Sequence, residues 1–320
     1  MELIEYLEKV EEQVDRLIDR YFGAPVGELN KASAHLLTAG GKRLRPAVMM
    51  LAADAVRRGS SDDLMPAAIA LELTHSFTLI HDDIMDGDEV RRGVPTVNKK
   101  WDEPTAILAG DVLYARAFEF ICQALTADAA KLRAVSMLAI TCEEICAGQH
   151  LDMAFEDRDD VSEEEYLEMV GKKTGALYAA SAAIGGVLAG GSQPQIDALF
   201  RYGMNIGVAF QIQDDLIDLL ASPEKSGKDR ASDIREGKQT LINIKAREHG
   251  FDLTPYRRRL SDAEIDDLIQ QLTQIGVIGE VKATAEELVT SAAKVLAILK
   301  PSEQKDLLIT IGTFFVERGY

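Results

Sequence analysis

Apolar residues recur at three- and four-residue intervals almost from end to end of this chain, and runs alternating in the β manner are nearly absent. Leu3, Ile4, Leu7, Val10, Val14, Leu17, Ile18 and Tyr21 form one such stripe, the face by which a helix buries itself. The same spacing predicts helices over roughly 44–57, 64–86, 104–125, 129–150, 163–190, 195–220, 239–248, 262–274, 279–299 and 302–316. Local signals agree with these positions. Ser162 to Glu165 and Ser261 to Glu264 fit capping boxes, Gly250 and Gly276 stand where helices should stop, and Pro301 marks a boundary. With 47% hydrophobic residues and no Pro/Gly/Ser-rich linker, the expectation is one all-α domain spanning 1–320.

Charge excludes several roles. The chain holds 35 Lys and Arg against 53 Asp and Glu, a net charge of −18. Such a surface repels nucleic-acid phosphates and anionic lipid, so nucleic acid is not an expected partner. The Ala- and Gly-rich stretch from Ala176 to Gly191 is shorter than the roughly 20 residues of a bilayer span and reads as a tightly packed interior helix. No membrane span is expected. The acidic start, Met1 to Glu8, lacks a signal-peptide pattern, and the chain reads as cytoplasmic. Cys122, Cys142 and Cys146 cannot build a disulfide framework; with no further ligand residues near them they read as buried thiols rather than a zinc site.

One echo carries the chemistry. Asp82-Asp-Ile-Met-Asp86 and Asp214-Asp-Leu-Ile-Asp218 both read Asp-Asp-x-x-Asp, and each ends an apolar helical run. Residues four apart lie about 40° apart around a helix, so Asp82 projects with Asp86, and Asp214 with Asp218. Asp83 and Asp215 flank them. Carboxylates crowded in this way repel one another unless a cation lies between them. Mg2+ suits the arrangement, because it takes one or two carboxylates and keeps sites for water and phosphate oxygens. A single copy could be a solvated helix end. Two copies, each behind a stretch where charge is costly, point to metal ligation.

Basic knots accompany the first cluster. Gly40-Gly-Lys-Arg-Leu-Arg45-Pro sets three cations behind a glycine pair, and Arg91-Arg92-Gly93 follows Asp86 closely. Arg forks match diphosphate oxygens in pairs, and Lys adds a point charge. His75 lies two turns before Asp82, where it is either a further anion donor or a satisfied core histidine; spacing does not separate the two.

These segments, with Leu79 to Asp86, Arg91 to Thr96, Gly110-Asp111, Gly148-Gln149, Lys173-Thr174-Gly175, Gly207 to Asp218 and Asp233 to Lys238, resemble the trans-isoprenyl diphosphate synthases, or polyprenyl synthetases. The motifs occur in the family's order from residue 40 to residue 238. The resemblance implies an all-α, isoprenoid-synthase-type helical bundle around a central cavity, usually in a homodimer. It implies that Asp82, Asp83, Asp86, Asp214, Asp215 and Asp218 hold the allylic diphosphate through Mg2+, with three ions expected per site. Arg91, Lys173 and Lys228 match residues that grip the same diphosphate. Lys42, Arg45, His75 and Arg92 match those that bind isopentenyl diphosphate without metal. Thr174 and Gln211 match groups close to the developing allylic cation, Gln149 and Asp152 match a supporting pair, and Asp233 and Lys238 lie in a segment like the family's closing loop. Two departures stand out. Ala231 replaces a frequent glycine, and Gly87 follows the first motif where a charged residue is common.

The chemistry implied is ionisation of an allylic diphosphate, attack by isopentenyl diphosphate, and loss of a proton to the released diphosphate. Phe77 and Thr78, five and four residues before Asp82, match the positions that set chain length. Their pattern is most like archaeal-type geranylgeranyl diphosphate synthases. Thr78 lies beneath Asp82, whereas Phe77 is turned about 140° away, so Phe77 is either the cavity floor or an ordinary core residue. Farnesyl diphosphate, or a mixture of both lengths, is the nearest alternative product. A terpene cyclase would have no use for Lys42, Arg45 and Arg92. A non-catalytic partner subunit could lose acidic ligands that this chain retains.

Overall fold

The computed structural model describes residues 2–156, 158–221 and 230–317. It is all-α apart from one short hairpin among these residues. Contacts group the chain into two compact units. One comprises Met1–Cys142, Leu177–Phe200 and Ile298–Leu308, the other Glu143–Ala176, Arg201–Ala297 and Ile309–Tyr320.

In the first unit, α1 (Leu3–Phe22) buries Leu3, Tyr6, Val10, Val14, Ile18 and Phe22, the stripe legible in the sequence. It is followed by α2 (Glu28–Thr38), α3 (Leu44–Val56) and α4 (Met65–Met85). Helix α4 is buried on nearly every side, from Ala67 to Ile80, and packs along α6 (Glu103–Cys122); the short α5 (Val97–Lys100) lies between them in sequence. Asp102 caps α6 by accepting the Thr105 N–H at 2.7 Å, an interaction worth about 1 kcal/mol. The Ala/Gly-rich stretch forms α9 (Ala176–Leu188), whose residues are buried throughout, as its composition requires.

Helices α7 (Asp128–Phe155) and α10 (Gln193–Leu220) contribute residues to both units. The second unit adds α8 (Glu163–Val170), α11 (Ser232–Glu236), α12 (Leu241–Glu248), α13 (Asp262–Gln274), α14 (Val277–Val295) and most of α15 (Glu303–Glu317). Both expected capping boxes form, Ser162 with Glu165 and Ser261 with Glu264. The core of this unit gathers Tyr166, Ile212, Leu216, Leu241, Leu268, Leu272 and Val281.

Besides the hairpin, three features differ from the sequence expectation. Helix α2 was not anticipated, because its buried face includes Ala32, Ser33 and Ala34, residues too small to make an apolar stripe. The expected helix over 163–190 is interrupted by a π turn at Gly171–Gly175. Only Cys142 of the three thiols is buried; Cys122 and Cys146 are exposed in the single chain. Cys146 shares its side of α7 with Met153, seven residues on, which is exposed as well.

Candidate active site

Each unit carries one of the two aspartate clusters. In the first, the last turn of α4 brings Asp82 partly to the surface, and Asp86 caps the helix, exposed, with its N–H bonded to the Asp82 carbonyl at 2.8 Å. Gly87 follows at φ 69°, and the Asp88 N–H returns to the Asp83 carbonyl at 3.0 Å, closing the helix end. Asp83 behaves differently from its neighbours. It is fully buried, and its carboxylate accepts the Nε–H of Arg91. Burial pushes its pKa up to about 6 despite the pull of Arg91, and Asp88 and Asp86 add to the rise. Its second oxygen, Oδ2, is buried with no hydrogen-bond partner.

A basic cluster lies in the same unit. Lys42 is exposed, whereas Arg43 is buried and faces inward. Its guanidinium donates to Asp15 at 2.8 Å, to Glu72 at 2.6 Å and to the Leu37 carbonyl at 2.8 Å. Of the three cations in this knot, the middle one is therefore structural. Arg45 stacks over the Tyr178 ring at 4.6 Å, and its Nε is buried without a hydrogen-bond partner. Desolvation together with Arg45, Arg92, Arg91 and Arg43 holds the His75 pKa well below the usual imidazole value, so the ring is neutral near pH 7. A neutral ring among arginines remains able to donate one N–H to an anion.

The hairpin links these two clusters. Strand β1 (Val90–Arg91) pairs antiparallel with β2 (Val94–Pro95), Val90 opposite Pro95 and Arg91 opposite Val94. The turn residues Arg92 and Gly93 have φ 53° and 75°, the left-handed pair that a two-residue hairpin turn uses. This geometry sends the adjacent arginines to different places. Arg91 holds Asp83 and, at 2.9 Å, Asp88. Arg92 donates to the carbonyls of Leu36 at 3.0 Å and Gly40 at 2.5 Å, and its guanidinium packs against Gly41, where an added Cβ would come within 3.1 Å. The glycine pair of the motif thus receives an arginine.

Phe77 is buried and meets Tyr114 and His81 edge-on, with centroids 5.2 and 5.9 Å away; Thr78 donates to the His75 carbonyl at 2.8 Å. The Phe77 ring thus packs between α4 and α6, with Tyr114 itself edge-on to Phe118.

In the second unit a cavity of about 90 Å³ is lined by Asp152, Tyr166, Lys173, Thr174, Gln211, Asp215, Asp233 and Lys238, among others. Lys173 and Thr174 sit in the π turn, an arrangement frequent at functional sites. Lys173 Nζ contacts Asp152 at 2.5 Å. Thr174 donates to Gln211 at 3.0 Å, Gln211 donates to Asp215 at 2.9 Å, and the Tyr166 hydroxyl donates to the other Asp215 oxygen at 2.7 Å. Asp215 is buried, and desolvation first, then the charge of Asp233, raises its pKa well above the carboxylate range against these two hydrogen bonds. In both clusters the second aspartate is the buried and anchored one, and the outer two are more open. Gln149 is buried with neither amide atom partnered.

Asp218 serves the start of α11. It accepts the Ser232 hydroxyl at 2.5 Å and the Asp233 N–H at 3.1 Å, and its carbonyl accepts the Ala231 N–H at 2.9 Å. Lys238 Nζ lies 3.7 Å from Asp233 and 3.6 Å from Glu236. Ala231 is buried at φ 55°, a conformation costing a non-glycine residue about 1–2 kcal/mol. Ala231→Gly should raise stability by about 0.5–1 kcal/mol, the relief exceeding the added unfolded-state freedom. Chemical denaturation measures it, and a loss of stability would contradict the strain. Lys228 lies outside the described residues.

Sequence reasoning did not single out Glu72, Tyr166 or Tyr178. Glu72 alone had a visible signal, a carboxylate inside the apolar run Ala70 to Leu73 that must find a partner. The aspartates offer oxygen donors only, which suits a hard cation. Among the described residues no three acidic, His or Cys side chains already converge to hold a metal.

Comparison with known proteins agrees with this construction. The polyprenyl synthetase family model matches residues 26–272. A geranylgeranyl diphosphate synthase of Methanosarcina mazei is 46% identical, over 100% of this chain and 99% of its own length. A geranylfarnesyl diphosphate synthase of Natronomonas pharaonis is also 46% identical, over 91% of this chain and 90% of its own. The solved structure of the geranylgeranyl pyrophosphate synthetase from the archaeon Geoglobus acetivorans superposes with a TM-score of 0.91 at 43% identity, covering 98% of this chain and 99% of that one. With two aspartate clusters at matching helix ends and likeness running the length of the chain, this protein belongs to the polyprenyl synthetase family.

Proposed function

We propose that the chain is a short-chain, Mg2+-dependent trans-prenyltransferase that condenses isopentenyl diphosphate with allylic diphosphates, ending at geranylgeranyl diphosphate. The observation that carries this reading is the hairpin that sends Arg91 to an acidic cluster and Arg92 to a basic one. A reaction of two diphosphates, only one of which departs, needs one site built for metal and another built from cations alone. Lys42, Arg45, His75 and Arg92 suit the diphosphate that stays, and the six aspartates suit the one that leaves, with three Mg2+ in the proposed site. Held by these aspartates, Mg2+ would supply neutralisation of charge on the leaving diphosphate, a contribution of several kcal/mol to transition-state stabilisation.

Around it, this chain's own residues bind and orient. Arg91, Lys173 and Lys228 add cationic contacts to the allylic diphosphate, and Thr174 with Gln211 offers oxygen atoms to the developing cation. Gln149 and Asp152 act as a supporting pair, Asp152 through its contact with Lys173. Asp233 and Lys238 belong to the closing segment. Holding both reactants aligned removes up to about 7–11 kcal/mol of barrier. We further propose that 1–320 acts as one catalytic domain, that the protein is cytoplasmic, and that it works as a homodimer. No helix among the described residues is long and apolar enough to cross a membrane. Ile107, Leu108, Leu132 and Ile140 on α6 and α7 are exposed apolar side chains of the kind a second copy would cover.

Product length rests on Phe77. Relatives named for products of two different lengths are equally identical to this chain, so overall likeness does not choose between them. The test is product analysis of purified protein with labelled isopentenyl diphosphate and each allylic starter, with Mg2+ and with chelator. A predominant C20 product that disappears with chelator is expected, and no elongation from a folded protein would overturn the assignment. Phe77→Ala opens the wall shared with Tyr114 and should move the main product at least one five-carbon unit longer. An unchanged distribution would make Phe77 an ordinary core residue.

A further inference from the structure

We propose that Glu72 is the positioning residue of the isopentenyl diphosphate site: from beneath it, one buried carboxylate holds Arg43 and Arg92 in place and leaves Arg92 open to an anion. The inference rests on the reading of Lys42, Arg45, His75 and Arg92 as that site. Glu72 is 2% exposed, on the buried stretch of α4, three residues before His75. Its Oε1 accepts Arg43 Nη1 at 2.6 Å and lies 3.7 Å from Arg92 Nη2. The second separation is too long for a hydrogen bond. Glu72 therefore attracts Arg92 electrostatically without using that N–H, and the other terminal nitrogen, Nη1, is spent on the Leu36 and Gly40 carbonyls.

Charge explains why such a residue is needed. Arg43, Arg45, Arg91 and Arg92 all bear on His75; burial first, and then Arg43, Arg45 and Arg91, lower the pKa of Arg92, while Glu72 acts to raise it. Without a counter-charge, guanidiniums crowded in this way would splay toward solvent and lose the alignment a diphosphate requires. Arg43 has a second carboxylate in Asp15, whereas among the described residues Glu72 is the one carboxylate within ion-pair distance of Arg92. A diphosphate arriving at Arg92 would supply negative charge on the open side while Glu72 fixes the other.

Two opposing effects make the test decisive. If Glu72 acted only through its charge, removing it would make the site more positive and tighten anion binding. If it positions Arg92, removing it weakens binding. Glu72→Gln keeps the size and an oxygen for Arg43, and Glu72→Asp keeps the charge but retracts it. The expected result for Glu72→Gln is a rise of about 10-fold in KM for isopentenyl diphosphate, with kcat and KM for the allylic substrate within about 3-fold of wild type. Glu72→Asp should fall between and fold normally, which covers the case in which the Gln variant does not. Melting curves on the same samples separate folding from binding. An unchanged or lowered KM in either folded variant, or an equal loss in kcat with both substrates, overturns the proposal. Wild-type protein that fails to elongate any starter would instead remove the function on which the proposal rests.

Discussion

Asp82→Asn should lower turnover by about 10³-fold or more and leave the melting temperature unchanged or slightly raised. Asp83→Asn, one residue away, should destabilise the fold outright. The contrast follows from burial. Asp82 is partly exposed at the end of α4, in a cluster with Asp83 and Asp86 whose charges repel one another. Removing one charge relieves that repulsion, so the folded state loses little. Catalysis loses a metal ligand, and several kcal/mol of electrostatic stabilisation corresponds to about three orders of magnitude in rate. Asp83 is fully buried against Arg91, whose side chain is 22% exposed. Neutralising it leaves a largely desolvated guanidinium with only the half-exposed Asp88 at 2.9 Å as counter-charge; breaking a buried pair costs about 3–5 kcal/mol where nothing compensates, and Asp88 brings the cost toward the lower end. It also frees the hairpin that aims Arg91 and Arg92. Saturating initial rates and thermal melts of both variants check the pair. Equal melting temperatures, or an Asp82→Asn enzyme within about tenfold of wild type, would break the division between outer ligand and buried anchor.

Much of the candidate site was legible because the residues that metal and phosphate chemistry would use are charged and stand at fixed local spacing. Asp82 with Asp86, and Asp214 with Asp218, could be read as pairs from the helix repeat alone. The α1 stripe and both capping boxes were visible for the same reason: the partners lie within a turn of each other in sequence. What sequence does not display is pairing over distance. Glu72 meets Arg43 across 29 residues, and Tyr166 meets Asp215 across 49, and nothing local in either segment names its partner. The difference between Asp83 and Asp82 is equally hidden, since both stand in the same motif and only tertiary packing buries one. Hairpin and π turn escaped for another reason. Each spans only a few residues, too short to set up a periodicity, and each is fixed by left-handed turn residues or by what packs against it.

Packing against the π turn leads to the second large expected effect. Gly148→Ala should abolish most activity and cost several kcal/mol of stability, although it adds a single methyl group to a helix and raises helix propensity. A Cβ built at Gly148 would stand 2.3 Å from the backbone nitrogen of Lys173 and 2.7 Å from its Cα. No rotamer can relieve that contact, because the atoms met are backbone. Either α7 or the π turn must move, and overpacking of this kind commonly costs about 1–3 kcal/mol and sometimes more. Movement of the π turn displaces Lys173 and Thr174 together. The Lys173 contact to Asp152 at 2.5 Å and the Thr174 hydrogen bond to Gln211 at 3.0 Å are then both disturbed, and through Gln211 so is Asp215. A shift of about 1 Å in such groups lowers rate by roughly 10²-fold. The expected signature is a large drop in kcat with a lowered melting temperature, whereas KM for isopentenyl diphosphate changes little, because Lys42, Arg45, His75 and Arg92 lie in the other compact unit. Steady-state kinetics with the isopentenyl substrate varied, alongside a melt, reads both quantities. A Gly148→Ala enzyme of normal stability and turnover would mean that α7 and the π turn are less closely packed than these distances require. A matching rise in KM for isopentenyl diphosphate would mean that Lys173 or Thr174 also serves the binding of that substrate.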